Sequence, residues 1–224
     1  MRTDSPKTIF LKDYEAPAFF AEHCDLTFKI FDGHTLVTSK TTYHKNPDVQ
    51  ALMLHLNGEH QEIVSIHLND RKLDEQAYIK DDNGLRISVS EQSFILRIET
   101  KISPETNTAL EGLYKSGDTY CTQCEAEGFR RITYYQDRPD NMATFTTRIE
   151  ADKEKYPVLL SNGNLISEGD LDGGRHYTVW EDPWKKPCYL FALVAGNLVH
   201  IEDHYKTTSG RDVTLRIYVR EGDE

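Results

Sequence analysis

Gln123 and Glu125 stand two residues apart in this 224-residue chain. On a strand they project from one face while Cys124 points to the other. A carboxylate beside an amide carbonyl suits an ammonium group, because the first supplies charge and the second a directed acceptor. Both sit in the densest stretch of the sequence, Thr122 to Phe145, which reads TQCEAEGFRRITYYQDRPDNMATF. There Arg130, Arg131 and Arg138 interleave with Phe129, Tyr134 and Tyr135, as on surfaces that stack nucleic-acid bases. The carboxylates Glu125, Glu127, Asp137 and Asp140 share the stretch, so local ion pairing and packing at a sheet corner is the simpler expectation. Glu125 and Glu127 have the types of an acid/base pair, yet carboxylates two apart are common on solvated strand faces.

The other reactive groupings do not assemble into sites. Cys121-Thr122-Gln123-Cys124 is half of a zinc or redox centre, but only the isolated Cys24 and Cys188 remain to complete it, and a redox C-x-x-C belongs at a strand-to-helix junction. In His200-Ile201-Glu202-Asp203-His204 the histidines are at i and i+4, a zinc spacing on a helix. The segment alternates as a strand, where i and i+4 lie about 13 Å apart, too far to share one ion. No G-x-S-x-G, Walker or G-x-G-x-x-G string occurs. The chain is therefore expected to hold no metal, no cofactor and no catalytic residue of its own.

Whatever positions Gln123 and Glu125 must be β-structure, because the hydrophobic period is 2 almost throughout. Cys24, Leu26, Phe28 and Ile30 alternate with polar residues, as do Val64, Ile66 and Leu68, and Phe94, Leu96 and Ile98. Asp32-Gly33 and Asn83-Gly84 are two-residue hairpin signals. Tyr156–Ser161, the run Cys188–Ala195, and His200–Thr207 with Val213–Val219 about a Thr208–Arg211 loop are further expected strands. Pro139–Thr144 suggests one short helical turn. The expected class is all-β: a saddle-shaped antiparallel sheet or sandwich, with an N-terminal extension over 1–12 and a single domain over 13–224. Pro104–Asp118 divides an N-terminal meander from a second layer. The polar stretch Glu221–Glu224 after a patterned strand has the look of a trimmed domain boundary. A formal charge of −11 argues against nucleic acid and anionic membrane as partners. No apolar run reaches about 20 residues, and Met1–Asp13 lacks the apolar core of a secretory signal. With four cysteines expected to stay reduced, the expected setting is cytoplasmic.

The string Thr122 to Arg131 is similar to the T-Q-x-E segment of zinc-dependent aminopeptidase N enzymes, and Asp137-Arg138-Pro139 to Phe145 to their D-x-P…F stretch. Leu110–Tyr114, Leu160–Asn164 and Pro187–Gly196 support it, so the resemblance runs in order from about Asp13 to Val219 and is to the bacterial branch. It implies the N-terminal domain of that multidomain family. The family's G-x-M-E-N and H-E-x-x-H motifs, which belong to its zinc-bearing catalytic domain, do not occur in this sequence. By the resemblance, Glu125 binds the free α-amino group of a peptide substrate and Gln123 lines the first side-chain pocket. The implied partners are the enzyme's own catalytic domain, which carries the zinc, and the substrate N-terminus.

A free-standing β-sandwich that binds carbohydrate or a protein partner is the competing expectation. It would use Trp180 and Trp184 as stacking platforms and would have no use for Glu125.

Overall fold

A computed structural model of the chain describes residues 8 and 10–224. Most of the expected 1–12 extension therefore lies outside the described residues. In chain order the strands are β1 (Phe19–Phe31), β2 (His34–Lys45), β3 (Met53–Asn57), β4 (Glu62–Leu68), β5 (Arg71–Lys72) and β6 (Tyr78–Asp81). There follow β7 (Gly84–Ser88), β8 (Ser93–Ile102), β9 (Gly112–Ser116), β10 (Thr119–Gln123), β11 (Met142–Asp152) and β12 (Val158–Ser161). The last are β13 (Asn164–Leu171), β14 (Arg175–Pro187), β15 (Leu193–Gly196), β16 (Val199–Lys206) and β17 (Asp212–Val219). The helical segments among the described residues are single 3₁₀ turns.

The eight-stranded sheet has the order β13-β14-β11-β1-β2-β8-β4-β5. Its inner face is written by alternation. Cys24, Leu26, Phe28 and Ile30 on β1 are buried, as are Val37 and Tyr43 on β2, Phe94, Leu96 and Ile98 on β8, and Phe145 and Ile149 on β11. Fully burying one such side chain is worth about 1.5–3 kcal/mol, so a slip of one residue in register would expose the whole set. A four-stranded sheet, β12-β15-β10-β9, and a three-stranded sheet, β3-β7-β6, add Tyr120, Leu159 and Leu193, and Leu54, Leu85 and Ile87, to the same continuous core. The all-β expectation holds. Among the described residues pairing is antiparallel except between β1 and β11, which run parallel with His23 opposite Thr144.

Local expectations fare unevenly. Asp32-Gly33 closes the β1–β2 hairpin, with Phe31 opposite His34 and Gly33 at φ +80°. Asn83-Gly84 is displaced by one residue: Asp81 pairs with Gly84, so Asp82-Asn83 forms the loop. Pro139–Thr144 is not helical; Pro139 and Asp140 form a turn and the chain enters β11 at Met142. The aspartate after the proline takes the Arg138 guanidinium at 2.7 Å, which fixes the turn without a helix. Cys188–Ala195 is not one strand. Cys188–Leu190 is a 3₁₀ turn that follows Pro187, and β15 starts only at Leu193. Asn162-Gly163 is a turn as expected, but it carries the chain from the four-stranded sheet to the edge of the eight-stranded one.

Candidate functional site

β10 is an inner strand, hydrogen-bonded to β9 on one side and β15 on the other. The Thr122 hydroxyl accepts the Leu193 N–H at 2.9 Å, which ties the end of β10 to the start of β15. The strand stops at Gln123. Cys124 turns back into the core, and residues 125–128 form a turn closed by the Gly128 N–H donating to the Cys124 carbonyl at 2.8 Å. Phe129 then plunges inward at the start of a 3₁₀ turn.

Glu125 is therefore on a turn at the strand end and not on the strand, but the predicted division of faces survives. Gln123 and Glu125 are exposed while Cys124 is buried. The Gln123 side-chain N–H donates to the Glu125 backbone carbonyl at 3.0 Å, which orients the amide against the turn. The Glu125 carboxylate has no hydrogen-bond or ion-pair partner among the described residues. The Glu125–Ala126 peptide bond is cis.

The turn is held from both ends. Phe129 is fully buried in edge-to-face contact with Tyr135 and Phe191, at centroid distances of 5.1 and 5.5 Å. Gly128 lies so close to the strand it follows that a Cβ there would meet the Gln123 carbonyl oxygen at 2.4 Å and the Gly112 nitrogen at 3.0 Å. Neither is the movable end of a side chain, so only glycine fits.

Behind the turn lies an ionic floor. The buried Asp137 carboxylate accepts from the Arg130 backbone N–H at 3.1 Å and from its Nε at 3.0 Å through one oxygen, and from the Cys188 thiol at 3.1 Å through the other. The Asp137 N–H donates to the Asn57 side chain at 3.2 Å, and Asn57 exchanges backbone bonds with Tyr135. The Arg130 guanidinium also faces Glu127 at 3.4 Å, and Arg131 bridges Glu59 and Glu111, both at 3.1 Å. The arginines that resembled a base-stacking surface are thus consumed in local pairs. A groove of about 800 Å³ opens beside this floor, lined in part by His55, Asn57, Glu127, Arg130 and Gln136. Sequence reasoning missed the groove and the Asn57, Asp137 and Cys188 supports. Nothing local signals that residues 57, 137 and 188 meet.

Among the described residues no group of three or more His, Cys, Asp or Glu side chains is placed to hold an ion. His200 and His204 lie on β16, each beside Glu202, as strand spacing required. Among the described residues the four cysteines are free thiols. Burial pushes Cys24 up to about 12 and raises Cys124; burial and the Asp137 carboxylate raise Cys188. Since the thiolate is the reactive form, a chromogenic disulfide reagent at pH 8 is expected to modify one thiol quickly in the native protein. That thiol is the half-buried Cys121, and the other three should respond only in denaturant. Two fast thiols would contradict the buried positions.

Of the two tryptophans, Trp180 donates its indole N–H to the Leu159 carbonyl at 3.2 Å and packs against the core, while Trp184 alone is strongly exposed. They do not form a paired stacking platform.

The description "Peptidase M1 N-terminal domain" matches residues 20–190. The chain belongs to this family. It is 50% identical to Aminopeptidase N of Escherichia coli over 98% of its own length and 25% of that protein's, and 46% identical to Aminopeptidase N of Caulobacter vibrioides over 99% and 26%. Among solved structures it resembles Legionella pneumophila aminopeptidase A in complex with aspartic acid, with a TM-score of 0.89 and 38% identity over 94% of this chain and 25% of that one. An M1 zinc metallopeptidase from Deinococcus radiodurans shares the fold at a TM-score of 0.77 and 15% identity. This member of the Peptidase M1 N-terminal domain family thus spans about a quarter of the length of the curated relatives it matches. Membership in this family gives a free-standing sugar- or protein-binding sandwich no support. Among the described residues no helix is long and apolar enough to cross a membrane.

Proposed function

We propose that this domain works as part of a zinc aminopeptidase, where it binds the free α-amino group of a peptide and packs on a zinc-bearing catalytic domain. Glu125 supplies the counter-charge and Gln123 lines the pocket for the first side chain. One observation carries this assignment: an exposed, unpartnered carboxylate beside an oriented amide, on a turn whose two flanks, Cys124 and Phe129, are locked in the core. The support for the enzyme class is the resemblance to Aminopeptidase N proteins along nearly the whole chain. Among the described residues no group of side chains fits zinc, so in this proposal the metal and the bond-breaking chemistry belong to the neighbouring domain. The four unpaired thiols suit a reducing, cytoplasmic setting.

The physics assigns this domain a supporting part. A carboxylate 4 Å from an ammonium gains about 1 kcal/mol in water and about 4 kcal/mol at an effective dielectric near 20. Glu125 becomes a firm anchor only when a second domain excludes water. Two outcomes are expected. Calorimetric titration of the isolated chain with leucine amide should show binding weaker than about 1 mM, which corresponds to about −4.1 kcal/mol, and no hydrolysis. When the chain is joined to the remaining three quarters of the Escherichia coli relative, Glu125→Ala should lower kcat/KM for leucine amide roughly 10- to 150-fold, the loss of one charge-assisted hydrogen bond worth about 1.5–3 kcal/mol. Unchanged kcat/KM in that variant would remove Glu125 from the site.

A further inference from the structure

Residues 58–61 join β3 to β4, and they close on one atom of the supports behind the candidate site. That atom is the Arg130 carbonyl oxygen. It lies in the 3₁₀ turn Phe129–Arg131, where the Thr133 N–H, its natural partner in a continuing helix, bonds to the Phe129 carbonyl at 3.5 Å instead. The Glu59 backbone N–H donates to the Arg130 carbonyl at 3.1 Å, and the Gln61 side-chain N–H donates to it at 2.8 Å. His60, between them, has φ +54°, in the left-handed region that a residue other than glycine seldom adopts. This reversal lets two donors, one from the main chain and one from a side chain, converge on the same oxygen. Gly58 lies against the Tyr134 ring so closely that a Cβ there would meet it at 2.1 Å.

Gln61 makes its bond against a penalty. Its amide oxygen is buried without a partner among the described residues, and a buried unpaired acceptor is destabilising. Facing a carbonyl, the amide must present its nitrogen. Hollows of about 370 and 460 Å³ flank the connection, so the bonds to Arg130 hold it more than packing from behind does. From this point the hydrogen bonds run on to the site. The Arg131 N–H donates to the Gly128 carbonyl at 3.1 Å, and the Gly128 N–H donates to the Cys124 carbonyl at 2.8 Å, next to Glu125. We propose that Gln61 is a positioning residue for the amine-binding carboxylate: residues 58–61 strap the 3₁₀ turn in place, and the strap fixes the turn on which Glu125 stands. The inference rests on the reading that Glu125 receives the α-amino group, and it extends that site to a segment far earlier in the chain.

Gln61→Met tests it. Methionine keeps the length, loses the donor and removes the stranded oxygen, while the Glu59 N–H still serves Arg130. The Tm of the 224-residue chain should therefore stay within about 2 °C. In the chain joined to the rest of the Escherichia coli relative, hydrogen exchange over residues 124–131, followed by mass spectrometry, should quicken at least about 5-fold while β1 and β8 stay protected. In the same joined protein kcat/KM for leucine amide should fall roughly 3- to 10-fold, the scale of one neutral hydrogen bond lost from a site that must hold its geometry. Added to Glu125→Ala, the substitution should change kcat/KM by less than about 1.5-fold, because a residue that acts through Glu125 then has nothing left to position. An equal loss in both backgrounds would overturn the proposal, since a purely structural role lowers activity whether or not the carboxylate is present. So would a Tm fall of more than about 4 °C, or unchanged exchange over 124–131. If Glu125→Ala is impaired and Gln61→Met is not, the strap fails and the amine-binding reading stands. If Glu125→Ala is itself unimpaired, that reading fails and takes this inference with it.

Discussion

Phe129→Ala is expected to cost about 3–5 kcal/mol of folding stability, the range for deleting a fully buried phenylalanine. For a chain of this size each kcal/mol moves Tm by roughly 2–4 °C, so a fall on the order of 6–20 °C should appear in thermal unfolding. The cause is specific. Phe129 is the residue by which the Glu125 turn grips the core, and its ring meets Tyr135, Phe145 and Phe191 edge to face at centroid distances of 5.1–6.2 Å. Alanine leaves a void walled by rigid rings that cannot collapse into it. Phe129→Leu keeps most of the volume and should cost clearly less. A loss below about 1 kcal/mol for the alanine variant would mean that the turn is held by something other than this ring.

Asp137→Ala should cost about 3 kcal/mol, at the lower end of the range for breaking a buried ion pair. The carboxylate serves the Arg130 guanidinium, the Arg130 backbone N–H and the Cys188 thiol together, so its removal strands three donors. The figure stays at the low end because Glu127 and Glu59 also face Arg130, at 3.4 and 4.0 Å. Asp137→Asn keeps an acceptor oxygen in the same space and should lose less. Urea unfolding with an unchanged m-value would place the loss in the native state. Equal stability of the alanine variant and the parent would show that the floor beneath the candidate site is not ionic.

How much of this was legible in the chain depends on whether the signal is local. β1, β2 and β8 could be read because one face of each is buried, and burial writes a period of 2 into the residues. The opposed exposures of Gln123, Cys124 and Glu125 could be read for the same reason, even though Glu125 had left the strand. The 3₁₀ turn at Cys188–Leu190 could not be read, since a buried turn and a strand buried on both faces have the same apolar composition. Nor could the turn at Pro139–Asp140, where a side-chain pair with Arg138 decides the backbone path. The floor of the site was least legible. Asn57, Arg130, Asp137 and Cys188 come from four distant segments, and an ion pair leaves no periodic trace. The role of Glu125 came from likeness to a family; the bare residues offered only a carboxylate beside an amide.

The parallel pairing of β1 with β11 has a consequence for how the chain reaches its native state. β1 and β11 meet in register across a sequence separation of 121 residues, as at His23 and Thr144. At a synthesis rate of about 5–20 residues per second, β1 must wait roughly 6–24 s after leaving the ribosome before its parallel neighbour exists. In that interval β1, β2 and β8 can associate, but the open side of β1 offers unpaired backbone to any other strand. Long-range pairings of this kind fold slowly and are exposed to aggregation. A nascent chain halted before β11 is therefore the species in which a chaperone, or another copy of itself, would find an unfinished edge.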